Sequence, residues 1–153
     1  MKQLLFVCSG NTCRSPMAEA AFKVLAAAHG LNLTVKSAGT DAWENGGASR
    51  MAEAAVRTIG GDLSGFRSSK LSRELVNSSD LIVAMTSGHR AEIIDRFPEA
   101  AGKIRLLLEF DPAASGGSVA DPYGGSLDLY RFTLEAMLPA LSNLAEMISK
   151  NSI

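Results

Sequence analysis

Four short apolar runs, each of buried-strand length, alternate with segments of helical spacing, and that alternation leaves few folds open. The runs are LLFV at 4–7, LTVKS at 33–37, LIVAM at 81–85 and IRLLL at 104–108, rich in aliphatic and β-branched residues. Between the first two, Met17, Ala21, Val24 and Ala28 share one helical face that Gly30 is placed to end. A second helix is predicted over 48–59, stopped by Gly60-Gly61, with others around 72–77 and 87–97. Leu127, Tyr130, Leu134, Met137, Leu141, Leu144 and Ile148 mark a last helix, in which Pro139 removes a donor and predicts a kink near Glu135. Strands that alternate with helices need right-handed crossovers, so a parallel sheet covered on both faces is expected. The stretch 111–126 reads as a surface loop, and no internal repeat is visible.

At 153 residues the chain suggests one domain with a real core. Fifteen basic against sixteen acidic side chains give a net charge of −1, which argues against a general nucleic-acid binder. No run reaches the ~18 apolar residues of a membrane span, and LLFVC is too short for a secretory signal. Cys8 and Cys13 lie in one short segment and cannot staple a fold, so a cytoplasmic protein is expected.

In a parallel sheet the ligand site lies at the carboxyl ends of the strands. The segment CSGNTCRSP at 8–16 occupies that place after the first strand. A tight loop running into a helix N-terminus makes a cradle of backbone amides for an anion. Gly10 is expected to supply an unusual backbone geometry and Asn11 to tolerate left-handed angles. Ser15-Pro16 reads as an N-cap and first helical residue. Arg14 offers a planar fork for two phosphate oxygens. Cys8 turns the site from holding to reacting, because amide donors, an arginine and a helix N-terminus favour the nucleophilic thiolate. A free cysteine ending a strand is more often plain packing. The five-residue spacing to Arg14, with Ser and Pro following at a strand-to-helix turn, favours the nucleophile.

On these residues the sequence resembles the low-molecular-weight protein tyrosine phosphatase family, whose signature C-x-G-N-x-C-R-S-P is matched at 8–16. SAGT at 37–40, Trp43, DLIVAM at 80–85 and DPYGGS at 121–126 extend the likeness over nearly the whole chain, 1–153. The resemblance implies a single-domain, Rossmann-like (flavodoxin-like) α/β fold with a four-stranded parallel sheet. It also implies a two-step reaction through phosphocysteine. It makes Cys8 the nucleophile and Arg14 the ligand of the equatorial oxygens. The loop Ser9, Gly10, Asn11, Thr12, Cys13, Arg14 and Ser15 would bind phosphate, Ser15 would hydrogen-bond Cys8, and Asn11 and Ser37 would brace the loop. Cys13 either packs beneath the loop or, as the resemblance implies, captures an oxidised Cys8 in a reversible disulfide.

Two Asp-Pro pairs are candidates for the acid that protonates the leaving group. Asp111 reads as a turn residue. Asp121 matches the family's acid, with Tyr123 and Trp43 as substrate-facing walls. Many tyrosine phosphatases of the family carry an aliphatic residue where Thr12 stands, while a bacterial branch acting on protein phosphoarginine carries threonine. The two glycines of DPYGGS fit that branch too. Phosphoarginine is therefore the expected substrate and phosphotyrosine the alternative, with Thr12 either a specificity filter or a space-filler. Phe66 stands where many relatives have a histidine supporting the loop asparagine, which leaves the bracing of Asn11 open. His29 and His89 read as surface or helix-end residues without chemistry. A thiol-dependent arsenate reductase, a phosphate-binding module on an inactive scaffold and a phosphocysteine carrier are weaker rivals. No metal or cofactor is expected, and the partner is a phosphorylated protein met by a monomer.

Overall fold

The computed structural model describes residues 1–114 and 116–153. Four strands, β1 (Gln3–Cys8), β2 (Thr34–Gly39), β3 (Leu81–Ala84) and β4 (Ile104–Leu106), alternate with α1 (Arg14–Ala28), α2 (Arg50–Arg57), α3 (Arg73–Ser78), α4 (Ser87–Arg96) and α5 (Leu127–Ser149). The strands form one sheet in the order β2-β1-β3-β4, every pair parallel. The first strand made is thus central, with a partner on each side.

Alternate side chains of β1 serve two separate layers. Leu4, Phe6 and Cys8 face the core shared with α1, α2 and α5, where Phe6 meets Phe22 at 5.8 Å between ring centres. Leu5 and Val7 face the layer built with Val76 of α3 and Ile93 of α4. All five are buried, and each large apolar side chain so placed contributes about 1.5–3 kcal/mol. This is the doubly covered parallel sheet that the alternation of strands and helices predicts.

The helix ends follow local chemistry. Gly30 takes a φ of +63° after α1, and Leu31 N–H donates to Ala26 O, closing that helix where the glycine stands. Ser49, Ser72, Thr86 and Ser126 cap α2, α3, α4 and α5 with their hydroxyls. The helix α5 runs through Pro139 without interruption as a secondary-structure element. The run IRLLL is only partly strand. Its ladder partner β3 ends at Ala84, opposite Leu106, and residues Leu107–Phe110 turn into a short 3-10 helix where no neighbouring strand remains to pair. Among the described residues, no helix is long and apolar enough to cross a membrane.

Candidate active site

The loop from Cys8 to Arg14 leaves the sheet at the carboxyl end of β1 and enters α1 directly. It is held from outside by the chain just beyond β2: Thr40 N–H donates to Cys8 O and Asp41 N–H to Ser9 O, each at 2.9 Å. Ser49 N–H donates to Thr12 O, also at 2.9 Å. Gly39 lets these backbones approach. A Cβ there would overlap Ser9 O and stand 2.7 Å from Ala42 Cβ, so the glycine of SAGT is a steric requirement.

Asn11 is the hub beneath the loop. It is fully buried with φ +53°, the left-handed conformation that asparagine tolerates. Its Oδ1 accepts from Ser69 N–H at 2.9 Å, and its Nδ2 donates to Ser15 Oγ at 2.8 Å and Ser37 Oγ at 3.0 Å. Ser37 Oγ in turn donates a hydrogen bond to Glu19 Oε1 at 2.8 Å. Ser15 Oγ accepts from Asn11 and lies 2.9 Å from Cys8 Sγ and 3.5 Å from Ala38 O; a thiolate can only accept, so ionised Cys8 takes the Ser15 proton at the shorter distance. With Cys8 ionised, the donors run from Asn11 through Ser15 to the sulfur.

Three expectations change here. Ser15 does not cap α1: the helix begins at Arg14 after Cys13, with no side-chain cap, since the Ser15 hydroxyl is committed inward to Asn11 and Cys8. Pro16 accordingly falls third in the helix, still in the turn whose amides lack helical acceptors. Gly10 has no left-handed φ, and a Cβ there would meet only Thr12 Oγ1 at an ordinary 3.6 Å, so Asn11 alone carries the unusual geometry. Finally, Phe66 does not leave Asn11 unsupported. The Ser69 amide and the Ser37–Glu19 pair satisfy it, while Phe66 packs against the core.

Cys8, Ser9, Gly10, Thr12, Cys13, Arg14, Asp41, Trp43, Asp121 and Tyr123 line one cleft of about 460 Å³. Arg14 is nearly buried. Its Nη1 donates to Val119 O at 3.1 Å and its Nη2 lies 3.5 Å from Asp121 Oδ2, an ion pair half open to solvent on the aspartate side. Val119 is the one large aliphatic side chain of the 111–126 loop; it is buried, and its N–H donates to Met85 O at 2.9 Å. Asp121 Oδ1 accepts from Tyr123 N–H at 3.0 Å. Gly124 then takes φ +77° in a turn closed by Gly125 N–H to Pro122 O at 2.8 Å. Asp111, by contrast, closes its own turn through Ala113 N–H and lies outside the cleft lining, as its sequence context predicts.

Cys13 is buried and unpaired as a thiol, 3.2 Å from the Tyr130 hydroxyl of α5. Burial, then the Cys13 contact, pushes the Tyr130 phenol above its ordinary range. His89 departs from expectation: it is buried, its Nε2 2.7 Å from Ser9 Oγ and its Nδ1 3.0 Å from Thr86 Oγ1. Burial and then the Arg14 charge hold its imidazole below the usual histidine value. Among the described residues, no three His, Cys, Asp or Glu side chains gather to hold a metal ion.

The functional neighbours not singled out from sequence are Glu19, Asp41, Ser69, His89, Val119 and Tyr130. Two carried a signal. Glu19 sits one helical turn after Ser15, and Val119 is an isolated aliphatic in a polar loop. The others depend on which loops the fold brings together.

A thiol at the end of a central parallel strand, with an arginine and an aspartate across a cleft, is the apparatus of a cysteine-dependent phosphatase. The chain belongs to the low molecular weight phosphotyrosine protein phosphatase family, whose model matches residues 3–153. It is 43% identical to a protein-arginine-phosphatase of Bacillus subtilis, over 97% of each chain. It is 38% identical to a low molecular weight protein-tyrosine-phosphatase of Streptomyces coelicolor, covering 93% of this chain and 90% of that one. Among solved structures it superposes with a TM-score of 0.92 on the arginine phosphatase YwlE, in a mutant form with a phosphorylated active site serine. That relative is 42% identical over 97% of each chain.

Proposed function

We propose that this chain hydrolyses phosphoarginine in proteins through a phosphocysteine formed on Cys8. The observation that carries the reading is the place of Thr12, which lines the same cleft as Cys8, Arg14 and Asp121. A threonine there leaves room for a slim planar group, and its hydroxyl offers a polar contact that an aliphatic side chain lacks.

In the first step the Cys8 thiolate attacks phosphorus, the P–N bond breaks, and the leaving nitrogen takes the electron pair and a proton from Asp121. Arg14 and the amides of residues 9–15 take up the charge on the equatorial oxygens. In the second step the Asp121 carboxylate removes a proton from water, whose oxygen attacks phosphorus. The S–P bond breaks, and phosphate leaves as the thiolate returns to its Ser15 donor. Asn11 and Ser37 keep that donor aimed. Trp43 and Tyr123, 84% and 79% exposed, wall the mouth of the cleft.

Cys13 is read as the partner that captures a peroxide-oxidised Cys8. Its thiol attacks the Cys8 sulfenic acid, a disulfide forms and water leaves. Residues 1–153 are taken as one phosphatase domain, monomeric and cytoplasmic, whose partner is a phosphorylated protein. A phosphotyrosine substrate is the second reading, favoured by the two exposed aromatic walls, which suit a phenyl ring.

The test compares kcat/KM on one peptide phosphorylated at arginine and its counterpart phosphorylated at tyrosine, with Thr12→Ile beside the wild type. We expect an arginine preference that the substitution weakens or reverses. A tyrosine preference in the wild type would overturn the substrate while leaving the cysteine chemistry to be judged by Cys8→Ser.

A further inference from the structure

The cleft holds a charge that phosphate binding does not call for. Among the described residues Arg14 is the one basic side chain in its lining, and Arg14 already meets Asp121 and the Val119 carbonyl. The second acidic side chain in the lining is Asp41. Its backbone is clamped to the loop by the bond to Ser9 O, one residue from the nucleophile, so its position is fixed by the sheet edge rather than by its side chain. Its carboxylate is exposed and makes no ion pair among the described residues. Trp43, two residues further on, is exposed and lines the same cleft.

An uncommitted carboxylate at the rim of an anion site repels a simple dianion. It suits a ligand whose anion lies on the floor and whose cation lies one step out. An exposed indole in the same cleft is available to the same cation, most of all a planar one.

We infer that Asp41 is a specificity-determining residue that recognises a positive charge next to the phosphoryl group of the substrate. The inference rests on the phosphatase reading above and deepens it. Two sources could supply the cation: the guanidinium of phosphoarginine itself, or a lysine or arginine flanking the phosphorylated residue. Asp41 acts through binding alone and exchanges no proton or bond with the substrate.

The experiment uses the full chain, as wild type, Asp41→Asn and Asp41→Lys, and three peptides. One carries phosphoarginine with neutral flanks, one phosphotyrosine with neutral flanks, and one phosphotyrosine beside a lysine. Steady-state kcat and KM are measured at low salt and again at about 0.5 M salt, where the screening length shrinks to ~4 Å. We expect Asp41→Asn to raise KM for the phosphoarginine peptide about 3-fold and Asp41→Lys about 10-fold, the size of partly exposed charge pairs. Salt should erase most of the difference. For the neutral phosphotyrosine peptide the same variants should lower KM, since a repulsion is removed. A loss confined to phosphoarginine assigns the cation to its own guanidinium; a loss shared by the lysine-flanked peptide assigns it to the flank. Parallel changes on all three peptides, or none, would overturn the role of Asp41. If the wild type does not turn over phosphoarginine, that substrate reading fails by itself, and Asp41 is judged on the contrast between the two phosphotyrosine peptides.

Discussion

Arg14 Nη1 donates to the carbonyl of Val119 at 3.1 Å, so the arginine that ends the loop after β1 also holds the segment that carries Asp121. The Val119 side chain is buried, and its own amide is bonded to Met85 at the end of β3. Two elements distant in sequence are thus referenced to the same residue.

Val119→Ala removes the apolar part of that anchor and leaves both backbone bonds possible. We expect a loss of roughly 1–2 kcal/mol in stability, read as a Tm lower by about 2–8 °C. The kcat should fall further than this explains, because Asp121 loses its fixed approach. A variant with lowered Tm and wild-type kcat would show that the loop finds its place without the valine.

Asn11→Ala takes away two donors and one acceptor in a fully buried site and leaves a left-handed residue without its local bonds. The expected cost is about 2–4 kcal/mol in denaturant unfolding. Asn11→Gly relieves the backbone strain but restores no bond, so it should recover stability in part and turnover hardly at all.

Asp121→Asn cannot give a proton. Turnover of substrates with poor leaving groups should drop by about 10²-fold or more, while a nitrophenyl phosphate, whose leaving group needs little help, should lose much less. Equal losses on both would assign Asp121 to binding rather than to proton transfer.

His89 makes stability depend on pH. Its imidazole is held below the ordinary value of 6.5 by burial and then by Arg14, with Glu92 and Asp121 acting the other way. As pH falls through 6.5 the unfolded chain takes up a proton that the folded chain refuses, so the stabilisation is complete above that value and is lost below it. Tm measured between about pH 7.5 and 5.5 should decline more steeply for the wild type than for His89→Gln. Equal slopes would contradict the assignment of a neutral, buried imidazole.

The sheet and its helices were legible because apolar runs and helical spacing are local signals. LLFV and LIVAM show their burial in every residue, and Gly30 and Gly60 mark helix ends by the angles they alone take easily. The loop at 8–14 was legible as a candidate site for the same reason: its residues are contiguous. What was not legible is set by contacts between distant segments. Ser15 reads as a cap until Asn11 is seen to donate to it. His89 reads as a surface residue until Ser9 and Thr86 are found on its two nitrogens. Asp41 is one aspartate among many until the end of β2 is laid beside Ser9. In each case the deciding partner lies elsewhere along the chain or on the inside of a turn that the one-dimensional pattern does not draw.

The contact between Cys13 and Tyr130 has a consequence for the newborn protein. The loop with both thiols follows β1, yet the hydroxyl that meets Cys13 belongs to α5, 117 residues further along the chain. Until that helix has been synthesised and docked, β1 can pair and the loop can begin to form, but the side of Cys13 that α5 covers stays open. The setting of Cys13 is thus completed last, by the docking of α5, although the loop that carries it is built on β1.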